Sequence, residues 1–236
     1  MPAEDLPQSI GYGFARRELL QEALTHPSAF GAERRRGRRR KPALRGYERL
    51  EFLGDRVLGL VIADLLWRRF EAEPEGHLTR RHTHLVRREA LARVAEAIGL
   101  GRHLVLSQAE AAAGAADNPG ILADACEALI AAIYLDGGFA AASAFVQRFW
   151  EPLIEEMEEP PRDPKTALQE WAQARGLILP AYELVATSGP DHAPTFTVAA
   201  SVAGGDRATA TGSSKRLAES RAAASLLGRL TAEAEA

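Results

Sequence analysis

The chain has 236 residues, 46% of them hydrophobic and 26% charged, with a net charge of −3 and a pI near 6.1. That is ordinary for one large or two modest soluble domains. No apolar run approaches the roughly 18 residues of a membrane span, and the start MPAEDLPQSIGYGFARREL does not read as a secretory signal. The single cysteine, Cys126, excludes an intrachain disulfide and fits a reducing cytoplasm.

The net acidity argues weakly against nucleic-acid binding, so the placement of charge matters more than its total. Helical periodicity dominates to about residue 158 and predicts helices over 15–24, 47–69, 77–98, 105–115, 119–136 and 138–157. The run ERRRGRRRKPALR at 33–45 reads by composition as a solvated basic loop. An arm that contacts phosphate is the alternative. The acidic, proline-bearing stretch EEMEEPPRDP at 155–164 reads as a linker.

Beyond it the pattern changes. Asp163 is placed to cap a helix that starts at Pro164 and stops at Gly176. Alternation and β-branched content predict strands at 180–187 and 194–202, and a shorter one at 206–211. An alanine-rich helix over 214–230 closes the chain. The expected organisation is a helical domain at 1–155, a linker at 156–162 and a small α-β-β-β-α module at 163–232, with Leu168, Trp171, Tyr182 and Phe196 in the module's core.

Carboxylates interrupt two otherwise apolar helices. At 100° per residue, Glu48, Glu51 and Asp55 fall within an arc of roughly 60°, and Leu50, Leu53, Val57, Leu60 and Val61 take the opposite side. Like charges about 5 to 6 Å apart cost on the order of 3 kcal/mol per pair at an effective dielectric near 20, so water or cations must neutralise them. Asp124 and Glu127 form a second pair, one helical turn apart, among Ile121, Leu122, Ala125, Leu129 and Ile130. Each pattern alone is usually a wet helix face. Facing each other, the two would make an all-oxygen site for Mg²⁺ or Mn²⁺, and hence phosphoryl chemistry or metal-assisted hydrolysis. There is no Cys/His set with zinc spacing.

The eight residues ERLEFLGD at 48–55 closely resemble the signature of the ribonuclease III family. Four further landmarks follow the same pattern: ALTHPS at 23–28, EGHLTRRHTHLVRRE at 75–89, GILADACEALIAAIYLD at 120–136, and a C-terminal module that resembles a double-stranded-RNA-binding domain. The resemblance implies an all-α nuclease domain followed by an α+β RNA-binding domain. It further implies a homodimeric, cytoplasmic endonuclease for double-stranded RNA, dependent on Mg²⁺ with Mn²⁺ able to substitute, and independent of membranes. Products would carry 5′-phosphate and 3′-hydroxyl ends with short 3′ overhangs. Ribosomal RNA precursors and structured messenger RNA would be the targets.

Residue by residue, the resemblance makes Glu51, Asp55, Asp124 and Glu127 metal ligands, with Asp55 and Glu127 central to catalysis. Glu48 and Glu75 would position RNA, and Phe52 would insert into the partner protomer. In the module, Thr166, Gln169 and Glu170, then Pro190, Asp191 and His192, and finally Ser213, Ser214, Lys215 and Arg216 would meet the duplex, the last group through phosphates at a helix N-terminus. Many such modules carry a lysine where this chain has Glu219, which leaves the basic cluster short. His26 reads as structural. A noncatalytic RNA binder would lack some of the acids, and all six are present. A metal-dependent hydrolase for another substrate would not need the C-terminal module.

Overall fold

The computed structural model describes residues 6–30, 46–190, 194–202 and 205–235. The basic loop at 33–45 lies outside the described residues, as do Asp191 and His192. The chain forms two compact units, the first ending at Pro161 and the second beginning at Arg162.

The first unit is helical among its described residues: α1 (Leu6–Ile10), α2 (Arg17–Ala23), α3 (Glu48–Arg69), α4 (Glu75–Leu85), α5 (Arg88–Ala97), α6 (Gln108–Ala112) and α7 (Pro119–Glu155). Helix α7 is the axle of the fold. Asn118 caps it, its side-chain oxygen accepting from the Gly120 N–H at 2.8 Å, and Pro119 fills the first helical position. It runs on to Glu155 with one break, at Gly138 (φ 77°), the boundary the sequence places between two helices. Contrary to the sequence expectation, α7 is long and apolar enough to cross a membrane. Six of its large side chains, Leu129, Ile130, Ile133, Phe145, Val146 and Trp150, are instead buried in the core with Val61 and Ile62 of α3 and Leu91 and Val94 of α5, while Leu135 and Phe139 are exposed.

Two helices differ from their sequence readings. The predicted helix at 77–98 is α4 and α5, separated at Val86–Arg87, where Arg87 is extended (φ −74°, ψ 158°). The buried indole of Trp150 donates to the Leu85 carbonyl at 2.8 Å, so that carbonyl at the break has a partner. The predicted helix at 105–115 shrinks to α6, because Val105 bridges Thr25 and exchanges backbone hydrogen bonds with Leu24 and His26. Ser107 then caps the short helix, its Oγ accepting from the Glu110 N–H.

Arg81 is almost fully buried (1% exposed). Its guanidinium donates to the Glu73 carboxylate at 2.7 and 3.0 Å and to the Met157 carbonyl at 2.7 Å, and it lies 3.9 Å from the centre of the Phe70 ring. Glu156 pairs with Arg93, so the stretch read as linker begins with residues held on the first unit. Replacing Arg81 by Ala strands Glu73 and the Met157 carbonyl together. The expected loss is about 3 kcal/mol, the scale of a broken buried ion pair, measured by urea unfolding. A loss under about 1 kcal/mol would show that the pair is solvated after all.

The second unit consists of α8 (Pro164–Ala174), strands β1 (Ala181–Ser188), β2 (Thr195–Ser201) and β3 (Arg207–Gly212), and α9 (Lys215–Glu235). The sheet is antiparallel in the order β1-β2-β3, with a register shift between Leu184 and Ala186. Leu168, Ala172, Ala200, Ala222, Ala223 and Leu226 form its core. Of the predicted core residues, Leu168 is fully buried, and Trp171, Tyr182 and Phe196 are only half-buried. Small side chains from α9 fill the centre, which leaves the aromatics at its margin.

Candidate active site and RNA-binding surface

The two acidic helices meet at Gly54. A Cβ there would stand 1.8 Å from the Glu127 backbone oxygen, so only glycine lets α3 and α7 approach this closely. Glu51, three positions before Gly54, and Asp55, one position after it, are thereby brought beside Asp124 and Glu127. All four are half-buried, and Glu48 is exposed at the start of α3.

The carboxylates act on one another. Burial, then Asp55, Glu51 and Asp124, push the Glu127 carboxyl up to about 8, partly offset by Arg56. Burial raises Glu51 as well, followed by Asp124 and Glu48, with Arg88 opposing. Asp124 is raised by burial against the pull of Arg88 and His26. Beneath them Tyr47 is buried, and its hydroxyl is pushed up by that burial and by Asp124, Glu51 and Glu48.

Their oxygens are not gathered round one point: among the described residues no three acidic, histidine or cysteine side chains stand ready to hold an ion. Asp55 pairs instead with Arg56. The donor set still fits a hard divalent cation: it is all oxygen, half-buried, and burdened by repulsion that such a charge would relieve.

Other predicted residues lie further out. Glu75 heads α4, where its carboxylate accepts from the Thr79 hydroxyl at 2.7 Å, and it is not among the charges that shift Glu51, Asp124 or Glu127. Phe52 is 65% exposed under the Arg56 guanidinium, and Leu60 and Trp67 are exposed on the same arc of α3. The reading of Leu60 as core is thus corrected. His26, set aside as structural, and Arg88, not singled out in the sequence, both face the acid group. The wheel could not reveal them, because each comes from another element.

In the second unit Thr166, Gln169 and Glu170 form an exposed arc of α8, whose start is fixed by Asp163 accepting from the N–H groups of Lys165 and Thr166. Ser213, Ser214, Lys215 and Arg216 are exposed at the start of α9, and the Ser214 Oγ accepts from the Leu217 N–H as its cap. His192 lies outside the described residues.

A helical domain with an acid cluster at a helix crossing, joined to a module that presents polar groups on one helix and cations at the N-terminus of another, defines a nuclease directed at structured RNA. Comparison with known proteins sharpens this. Residues 16–153 match the family model described as Ribonuclease-III-like, and residues 164–230 match the double-stranded RNA binding motif. A relative from Azorhizobium caulinodans, Ribonuclease 3, is 50% identical over 224 residues, which cover 95% of this chain and 92% of the relative. Ribonuclease 3 from Ruegeria pomeroyi is 49% identical over 94% of both chains. The crystal structure of the nuclease domain of ribonuclease III from Campylobacter jejuni superposes with a TM-score of 0.55 at 37% identity, covering 69% of this chain and 99% of that one. The chain belongs to the ribonuclease III family, a family of metal-dependent nucleases, and is an endoribonuclease for double-stranded RNA.

Proposed function

We propose that the protein hydrolyses both strands of duplex RNA in the cytoplasm, as a homodimer with one acidic site per protomer. Products would carry 5′-phosphate and 3′-hydroxyl ends with short 3′ overhangs, and ribosomal RNA precursors and structured messenger RNA would be the substrates. The observation that carries this reading is the crossing at Gly54, which sets Glu51 and Asp55 of α3 against Asp124 and Glu127 of α7 so closely that, beyond burial, the other three acids push the Glu127 carboxyl up and Asp124 pushes up Glu51.

Those four residues would hold Mg²⁺, or Mn²⁺ in its place. When bound, the ion supplies Lewis-acid stabilisation of phosphate and an activated water. The protein's own contribution is placement. Arg88 and His26 temper the charge of Asp124, Arg56 is positioned to release Asp55, and exposed Glu48 marks the side from which RNA enters. Thr166, Gln169 and Glu170 would meet ribose and base edges in a minor groove, while Lys215 and Arg216 take phosphates. Incubating long duplex RNA with Mg²⁺ or with EDTA tests the reading. Cutting is expected only with Mg²⁺, and binding without cutting in either buffer would mark a noncatalytic RNA binder instead.

The dimer reading rests on the exposed Phe52, Leu60 and Trp67 stripe, an apolar run on a helix whose opposite face is core. Another structure of the Campylobacter jejuni nuclease domain, 38% identical, is described by flexibility in the region involved in that domain's dimer formation. Phe52→Glu places a charge in the middle of such an interface. The expected result is a shift from dimer to monomer in analytical ultracentrifugation at micromolar protein, with loss of double-strand cleavage. A dimer that survives the substitution would remove Phe52 from the contact.

A further inference from the structure

We infer that Glu219 holds Lys165 away from duplex RNA, so that this ion pair, and not only the cations at the start of α9, sets how tightly the second unit grips phosphate. The inference rests on the duplex-RNA reading above.

At 100° per residue, Lys215, Arg216 and Glu219 share one arc of α9. An acid therefore stands within the cationic face that suits phosphate. Its partner comes from a different helix: the Lys165 Nζ lies 2.7 Å from the Glu219 carboxylate. The same ammonium sits 4.4 Å from the centre of the Tyr182 ring in β1, so it is anchored on two elements at once. The pair is only partly wet, with 36% of the lysine side chain and 18% of the glutamate side chain exposed. Lys215 and Arg216 differ from it. Both are exposed, and neither is in an ion pair among the described residues.

The place of Lys165 on α8 gives the arrangement its consequence. It precedes Thr166 and lies one turn before Gln169, two members of the exposed arc assigned to the minor groove. A lysine freed at this position keeps its root beside that arc, and its flexible stem carries the ammonium to a neighbouring phosphate. Paired, it contributes no phosphate contact. A half-wet ion pair is weak enough for one substitution to release it. The carboxylate thus weakens the surface by withholding a cation, its own charge being balanced by the ammonium it holds.

Binding of the full chain to a short duplex RNA, measured in EDTA so that nothing is cut, separates a freed lysine from a mere loss of negative charge. Glu219→Ala is expected to tighten binding about three-fold or more between 50 and 200 mM salt, and to steepen the slope of log K against log salt by about 0.9, the mark of one added phosphate contact. Lys165→Met alone should stay within about two-fold of the parent with an unchanged slope. In the double variant the gain should vanish. A Glu219→Ala protein that binds like the parent overturns the inference. So does a gain that persists in the double variant, because the lost negative charge would then explain it without the lysine. Thermal melting establishes that each variant is folded. Should Glu219→Ala unfold, Glu219→Gln, which keeps the volume, is expected to shift affinity and slope the same way, and no shift there overturns the inference. If the parent itself binds no duplex RNA, the duplex-RNA reading fails, an outcome distinct from a parent that binds and variants that match it.

Discussion

Glu127→Gln is expected to abolish cleavage of duplex RNA while leaving its binding intact. The rate should fall more than about 100-fold, since even partners outside the ligand shell of a metal site act on the 10- to 100-fold scale. The glutamine keeps the shape of the side chain and removes the charge that a cation needs. Most of the proposed RNA-binding groups lie on the second unit and Glu127 is not among them, so affinity measured in EDTA should hardly move. A Glu127→Gln protein that still cuts would remove this residue from the site.

The same substitution should stabilise the metal-free protein at neutral pH. Burial and three neighbouring acids raise the Glu127 carboxyl from its ordinary 4.5 to about 8. The folded state therefore holds this proton more tightly than the unfolded chain does. Between about pH 4.5 and 8 the native protein binds more protons, so its stability falls as pH rises through that window. Removing the ionisable group flattens the fall, and Mg²⁺ added to the parent should raise its melting temperature in the same range by binding only the folded state. Melting curves at pH 5 and pH 8, with and without Mg²⁺, check both. A parent that melts at a higher temperature at pH 8 than at pH 5 without metal would contradict the assigned repulsion. The site is thus a place where function is kept against stability.

Much of this site could be read from the chain. The arc of Glu48, Glu51 and Asp55 is a matter of angles within one helix, and so is the pairing of Asp124 with Glu127. That the two helices face each other needed either the resemblance or the structure. What stayed hidden was set by residues far apart in sequence. The break between α4 and α5 preserves the apolar spacing on both sides, and the Leu85 carbonyl it frees is taken by Trp150, 65 positions away. Leu60 lies on the apolar side of the wheel, but α7 covers only part of that side, so it faces solvent. Nothing in the sequence analysis singles out Arg81, because the Glu73 carboxylate, the Phe70 ring and the Met157 carbonyl that close around it are brought together only by the fold. The lysine expected near the start of α9 is replaced by Glu219, and only the fold shows that α8 supplies its counter-charge.

Gly54→Ala should damage catalysis more than its size suggests. In an ordinary helix interior this change favours the helix by about 1 kcal/mol. Here the added methyl would meet the backbone of α7, with the Glu127 oxygen at 1.8 Å and its carbonyl carbon at 2.5 Å. No flexible side-chain tip can swing aside, so α3 and α7 must separate by on the order of 1 Å, at the 1 to 3 kcal/mol typical of overpacking. The net loss of stability is then modest and the protein stays folded. The acids suffer more, because Glu51 and Asp55 ride on one helix and Asp124 and Glu127 on the other, and a 1 Å error in placing reacting groups can cost about 100-fold in rate. Gly59→Ala is the control on the same helix: its methyl would have only the His82 ring as a neighbour, at an ordinary 3.7 Å. That variant should be as stable as the parent or slightly more so, with cleavage within a few-fold of it. Comparing single-turnover cleavage with melting temperature for the two proteins separates the effects. If Gly54→Ala cuts as fast as Gly59→Ala, the close crossing of α3 and α7 is not what assembles the site.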